Sequence, residues 1–205
     1  MRALSIFALF FAAASLQPAI ATTLTPPDAG YSAMRIVNAA GTEISGKVYS
    51  DSGNERWETV MQGMRRISIL RFNESKILLY MPDMKMAMEL GRDQAGGFGL
   101  DRLFDGVDAE EAGNETIEGE KTTRYRVAPN EDNGNADMMV WLTPDGIPIR
   151  AEGKSKGGPF TMVLKDLERG EQDPSLFRLP DGVTPIAMPA GMPAMMGGAF
   201  SGMPQ

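Results

Sequence analysis

Methionine is the residue type whose spacing most clearly suggests chemistry in this sequence. Sixteen of the 205 residues are Met, and several stand close together near the C-terminus. Soft thioether sulfur selects Cu(I) over harder ions, so a copper site is one hypothesis for this group. A flexible low-complexity segment is the alternative, because the stretch is also rich in Pro, Ala and Gly. The candidate ligands are Met188, Met192, Met195 and Met196.

A second methionine group alternates with other residues after Pro82-Asp83. Met84, Met86 and Met88 fall at every second position, which places them on one face of a β-strand. Methionine is flexible and common on surfaces that accept varied apolar partners. The three side chains are therefore candidates to line an apolar ligand cavity, and ordinary core packing is the alternative.

Several classes of chemistry are excluded by composition. The chain contains no Cys and no His, which removes thiol nucleophiles, thiolate metal sites and the usual general base at neutral pH. No phosphate-binding loop or dinucleotide fingerprint is present. The sequence therefore predicts a protein that is not an enzyme and needs no cofactor. Its formal charge of −7 also argues against a nucleic-acid partner.

The N-terminus has the features of a secretory signal peptide. Arg2 precedes an apolar run that reaches Leu16, and Ala19-Ile20-Ala21 supplies the small residues that signal peptidase recognises. We expect residues 1–21 to be removed on export to the periplasm. Thr22 stands where a lipoprotein would carry cysteine, so the mature protein is not expected to be lipidated. No later stretch approaches the roughly 20 apolar residues of a membrane span.

The rest of the chain has the pattern of a mainly β protein. Segments of period-two alternation from residue 30 to 187 are separated by turn sequences every eight to twelve residues. We expect one domain formed by a curved antiparallel sheet or unclosed β-barrel of about ten strands, with one or two short helices. Residues 188–205 are predicted to form a disordered tail.

An insertion interrupts the strands between residues 94 and 108. Its apolar residues have near-helical spacing, which predicts a short amphipathic helix. Such a helix could cover a cavity as a lid or plug, or it could simply pack against the sheet. The residues concerned are Phe98, Leu100, Leu103 and Phe104.

Short motifs in two stretches give the chain a family resemblance. They are Gly46-Lys47-Val48-Tyr49, Arg56-Trp57-Glu58, Leu79-Tyr80-Met81-Pro82 and Met86-Ala87-Met88-Glu89, followed by residues 119–125, 141–148 and 173–182. In this order they resemble a bacterial exported domain family of unknown function. That family is in turn similar to the periplasmic lipoprotein carrier and the outer-membrane lipoprotein receptor of the Lol pathway. The resemblance implies an unclosed β-barrel with an apolar cavity for acyl chains.

Together these features favour a periplasmic binding protein. Its ligand would be apolar, such as a lipid or acyl chain, and would lie against the concave face of the sheet. A lipidated or other envelope protein is a possible partner. The alternatives are an interaction module of the cell envelope and a copper-handling protein that acts through the tail.

Overall fold

The chain forms one large, curved, unclosed sheet. The computed structural model describes residues 21–39, 41–74, 76–91, 103–104, 106–129, 137–155 and 158–188. The described strands are β1 (Ala21–Thr23), β2 (Tyr31–Ala39), β3 (Thr42–Asp51), β4 (Asn54–Met61), β5 (Met64–Arg71), β6 (Lys76–Met81), β7 (Met86–Gly91), β8 (Asp108–Ile117), β9 (Glu120–Val127), β10 (Asp137–Leu142), β11 (Pro148–Ser155), β12 (Gly158–Arg169) and β13 (Pro185–Ala187). Two 3₁₀ helices, Pro82–Met84 and Pro174–Phe177, lie between strands.

Neighbouring strands are mostly hairpin partners. The spatial order is β1-β8-β9-β10-β11-β12-β2-β3-β4-β5-β6-β7-β13, so β1 and β13 are the outermost of the described strands. All described pairings are antiparallel except that of β13 with β7. The predicted fold class is confirmed, and the described residues form thirteen strands where the sequence suggested about ten.

One face of the sheet, called here the inner face, carries the main core. Side chains of strands far apart in the sheet, such as Val48 and Val127, belong to one buried cluster there. Residues paired on neighbouring strands have their side chains on the same side of the sheet. The pairing therefore shows that the inner face continues across the sheet as far as β7. The curvature of the sheet thus brings distant strands together around a shared interior.

Glycines on the inner face permit tight coiling of the sheet. A Cβ atom at Gly46 would overlap the carbonyl oxygen of Glu58, and one at Gly153 would lie 2.5 Å from the carbonyl oxygen of Asp137. Only glycine allows neighbouring strands to approach this closely. A register shift beside Pro148, between Trp141 and Leu142, adds a bulge of the kind that its proline predicts.

The part of the chain that follows β12, called here the C-terminal segment, covers part of the opposite, outer face of the sheet. Phe177 is buried against Ile67, Ile69, Tyr80 and Ala87. Asp173 begins the 3₁₀ helix of Phe177 by accepting a 2.8 Å hydrogen bond from the Ser175 amide. The segment then adds β13 beside β7. Strand β7 is therefore covered on its outer side and at its edge.

The strand predicted over residues 84–90 begins later than expected. Met84 lies in the 3₁₀ helix Pro82–Met84 and is 43% exposed, and Lys85 adopts a left-handed conformation with φ of 50°. The expectation that Met84 shares a strand face with Met86 and Met88 is therefore wrong. In the described part of the chain, no helix combines the length and apolarity needed to cross a membrane.

Candidate functional site

A charged pair lies on the inner face, beside residues of the buried apolar cluster. Arg35 of β2 donates from Nη1 and Nη2 to the two carboxylate oxygens of Glu55 on β4, at 2.7 and 2.6 Å. The side chains are 8% and 16% exposed. Two parallel hydrogen bonds of this kind fix both the position and the orientation of the guanidinium relative to the carboxylate. The pair spans β3, where Gly46 faces Arg35 and Ser50 faces Glu55 in the register.

Two hydrogen-bond donors of this group have no partner among the described residues. The Arg35 guanidinium lies over the Trp57 ring, with its central carbon 5.6 Å from the ring centroid. Arg35 Nε and Trp57 Nε1 are both buried and unpaired. A buried donor without an acceptor costs about 1–3 kcal/mol, so each such group calls for an explanation. We call Tyr31, Arg35, Glu55 and Trp57 the inner polar group.

Burial shapes the electrostatics of the inner polar group. Desolvation raises the pKa of the Tyr31 hydroxyl, and the nearby Glu55 carboxylate raises it further. Desolvation alone would lower the pKa of Arg35, but the Glu55 carboxylate outweighs it and the net shift is upward. Tyr31 therefore stays neutral and Arg35 stays charged across the physiological range. The group as a whole carries no net charge.

A cavity of about 410 Å³ lies at the end of the sheet where the β3–β4 and β5–β6 turns meet. Its wall mixes polar and apolar side chains, and Phe72 meets Phe104 there edge to face with ring centroids 5.4 Å apart. The lining residues are Pro26, Ser52, Gly53, Asn54, Arg71, Phe72, Asn73, Glu74 and Phe104. This composition suits a molecule that is apolar at one end and polar at the other.

Elsewhere on the inner face the interior is packed. Leu24, Leu103, Val107 and Ile147 join the buried cluster formed by strands β8 to β12 with β2 and β3. Leu103 is 2% exposed, and Phe104 packs on the edge of the same cluster. The structure thus places these two predicted residues together, one in the core and one at the cavity wall.

Met86 and Met88 occupy the inner face at the other side of the sheet. They are half-buried and lie opposite Met81 and Leu79 of β6 in the register. Met81, Leu79 and Leu90 on the same face are buried. The two methionines therefore do belong to one apolar surface, without Met84. Whether they touch a ligand stays a prediction.

Other predicted residues fall largely outside the described part of the chain. Phe98 and Leu100 lie there, as do Met192, Met195, Met196 and the expected signal peptide. Met188 closes the described chain, and its amide donates a 3.0 Å hydrogen bond to the carbonyl of Glu89. Among the described residues, no three His, Cys, Asp or Glu side chains are grouped as metal ligands. The copper hypothesis for the tail stays a prediction.

The inner polar group was not singled out from the sequence, although a signal for it exists. Inward positions of β2 read Tyr31, Ala33, Arg35, Val37 and Ala39, so one charge interrupts an apolar row. A charged residue at a core-facing position needs a buried partner. The sequence could not identify Glu55 as that partner, because the ion pair crosses an intervening strand.

Comparisons with known proteins agree with the fold. No protein-family model matches the chain, and no curated protein sequence matches it. Among solved structures it is similar to an uncharacterized conserved protein from Thermus thermophilus, with 14% identity and a TM-score of 0.55. That match covers 78% of this chain and 91% of the other.

Two further solved structures are more distant. A DUF1329 family protein from Desulfovibrio piger matches with 14% identity and a TM-score of 0.42, over 74% of this chain and 90% of the other. The Mycobacterium tuberculosis lipoprotein LppX matches with 18% identity and a TM-score of 0.39, over 69% and 88% of the chains. The chain therefore shares its fold with the uncharacterized Thermus thermophilus protein.

Proposed function

We propose that the protein is a non-enzymatic carrier or sensor of the cell envelope that binds an amphipathic lipid or other acyl-chain molecule. The single observation that carries this proposal is the cavity of about 410 Å³ at the end of the sheet. This volume is within the range of small-molecule sites.

The wall of the cavity offers both apolar and polar surface to such a ligand. Phe72, Phe104 and Pro26 supply apolar surface, and Asn54 and Arg71 supply polar groups at the rim. Each square ångström of apolar ligand surface removed from water contributes about 25 cal/mol. Affinity would then come from the acyl part, while the rim would hold a polar end near solvent.

The N-terminal sequence supports an envelope location for this activity. Export by a cleaved signal peptide would release a protein without its own lipid anchor, since Thr22 replaces the cysteine of a lipoprotein. Any lipid it carries would therefore be bound non-covalently. A lipidated envelope protein would present the same acyl chemistry to the cavity.

Native mass spectrometry tests the proposal directly. Protein purified from the envelope fraction of its own cells, without detergent, should show an added mass that organic solvent removes. Lipid analysis of the extract would identify the ligand. Bare protein in every such preparation would contradict the proposal, and recovery of a crosslinked protein without lipid would favour the interaction-module alternative.

A cavity-blocking variant makes the test specific for this site. Asn73 lies at the cavity wall, and a large side chain in Asn73→Trp should reduce the lipid-bound fraction several-fold. Asn38→Trp is the matched control, because Asn38 is an exposed residue away from the cavity. Equal lipid content in the two variants would place the ligand elsewhere.

A further inference from the structure

We propose that the two unpaired donors of the inner polar group, Arg35 Nε and Trp57 Nε1, bind a neutral hydrogen-bond acceptor on the ligand, of the class of an ester or amide carbonyl. This inference rests on the proposed function and specifies which chemical group of the ligand the protein recognises. It assigns a polar anchor to the inner face, which also carries Ser50, Thr59, Arg66 and Ser68 around this group.

The need for an acceptor follows from burial. The Arg35 guanidinium lies over the Trp57 ring, and each side chain has one buried N–H group, Arg35 Nε and Trp57 Nε1. Neither N–H group has an acceptor in the described part of the chain. The other tryptophan shows the usual arrangement, since Trp141 Nε1 donates to Glu115 at 2.8 Å. Because a carbonyl oxygen has two lone pairs, it can accept a hydrogen bond from more than one such donor.

The charge of the group decides which acceptor fits. The Glu55 carboxylate already neutralises the Arg35 guanidinium through two hydrogen bonds. A carboxylate or phosphate brought to the same place would meet the negative charge of Glu55 and would lose its own hydration. A carbonyl oxygen of an ester or amide accepts both hydrogen bonds without adding charge. The site therefore favours acylated molecules over free fatty acids.

The group lies on the same strand as one wall of the cavity. Asn54 lies at the cavity wall, and Glu55 and Trp57 follow it on the inner side of β4. At about 3.4 Å per residue, Trp57 lies about 10 Å along the strand from the rim. An acyl ester bound in the cavity would have to displace packed side chains of the inner face to bring its carbonyl to the two donors.

Three probes of equal chain length separate the acceptor from the apolar contacts. Methyl dodecanoate has a neutral carbonyl, sodium dodecanoate has a carboxylate, and dodecane has no acceptor. Their affinities can be compared by displacement of the neutral fluorophore N-phenyl-1-naphthylamine from delipidated protein. We expect methyl dodecanoate to bind about 3- to 10-fold more tightly than dodecane and more tightly than dodecanoate.

The variant Trp57→Phe removes one donor and keeps an aromatic ring under Arg35. It should reduce the preference for methyl dodecanoate over dodecane by about 3-fold or more and leave the affinity for dodecane unchanged. Trp141→Phe is the matched control, because its indole lies on the outer side and already has a partner. In Trp141→Phe, Trp57 is the only remaining tryptophan, and methyl dodecanoate should shift its fluorescence emission.

The outcomes separate this inference from the proposed function. If none of the three probes displaces the fluorophore, the proposed function fails and the inference fails with it. If dodecane and methyl dodecanoate bind equally to the unaltered protein, the carrier function stands and the carbonyl anchor is overturned. Tighter binding of dodecanoate would also overturn it, because that result indicates an anion site.

Discussion

Arg35 and Glu55 form two parallel hydrogen bonds of 2.7 and 2.6 Å across the inner face, although strand β3 lies between their own strands. The contact is possible because β3 presents small residues, Gly46 and Ser50, at the register positions beside the two side chains. The ion pair therefore links β2 to β4 directly, in addition to the backbone ladders. It fixes the part of the sheet that carries the unpaired donors.

Removing one member of this pair should destabilise the protein strongly. Arg35→Met leaves the Glu55 carboxylate buried without its partner, and we expect a loss of about 3–5 kcal/mol in the free energy of unfolding. The double variant Arg35→Met/Glu55→Leu should recover most of that loss, because no uncompensated charge remains. Urea denaturation of the three proteins measures both effects.

Arg150 and Glu152 provide the control for this prediction. Their ion pair has a similar length of 2.8 Å, but the side chains are 40% and 38% exposed. Arg150→Met should cost less than about 1 kcal/mol. A loss in Arg35→Met no greater than that in Arg150→Met would contradict a buried, stability-determining role for the inner pair.

Gly46 sets the distance between β3 and β4. An alanine Cβ there would overlap the carbonyl oxygen of Glu58, which belongs to the neighbouring backbone and cannot simply rotate away. We expect Gly46→Ala to lower the free energy of unfolding by about 1–3 kcal/mol or more. Ser45→Ala is the control at an exposed position of the same strand. It should change the free energy of unfolding by less than about 0.5 kcal/mol. Thermal or urea unfolding would show the difference, and equal stabilities would contradict a close contact at Gly46.

Alternation in the sequence was sufficient to predict the sheet and the orientation of its side chains. Met86 and Met88 do share the inner face, as period-two spacing indicates. The three-residue edge strands β1 and β13 could not be predicted in this way, because so short a segment contains no measurable alternation. They exist because they pair with β8 and β7, which is a property of the folded sheet.

Met84 shows where spacing alone misleads. The alternation of methionines continues through residue 84, but periodicity specifies a face and not the residue at which a strand begins. Pro82 and Asp83 start a 3₁₀ helix instead, and Arg65 holds Asp83 through its amide and its guanidinium. The tertiary contact with β5 thus decides the local structure.

The C-terminal segment should be essential for the stability of β5 to β7. Phe177 is buried on their outer side, and Arg56 fixes the segment by donating a 2.8 Å hydrogen bond to the Leu176 carbonyl. Phe177→Ala should cost about 3–5 kcal/mol, as expected for a buried phenylalanine. Hydrogen exchange should also become faster in β6 and β7. The exposed neighbour Arg178, changed to Ala, is the control, and comparable losses in the two variants would contradict a specific role for Phe177.

Arg169 should make the protein sensitive to acid. Its guanidinium donates hydrogen bonds to Glu120 and Asp145 and holds the pKa of both carboxyl groups below their usual values. A carboxyl whose pKa is lower in the folded state stabilises that state fully above its ordinary pKa of about 4. This contribution is lost as the pH falls through the lower, folded-state values. Because the three side chains remain accessible to solvent, at 38% for Arg169 and 29% for each carboxylate, it should not exceed about 1 kcal/mol.

The stability of Arg169→Gln should therefore differ from that of the unaltered protein at about pH 7 but not at about pH 2. Urea midpoints measured across this range should converge below about pH 4, where the carboxylates become protonated in both proteins. Lys165→Gln removes the same charge from an exposed position and controls for the change in net charge. If its profile matched that of Arg169→Gln, the effect would come from overall charge, and the hydrogen bonds of Arg169 would not be its cause.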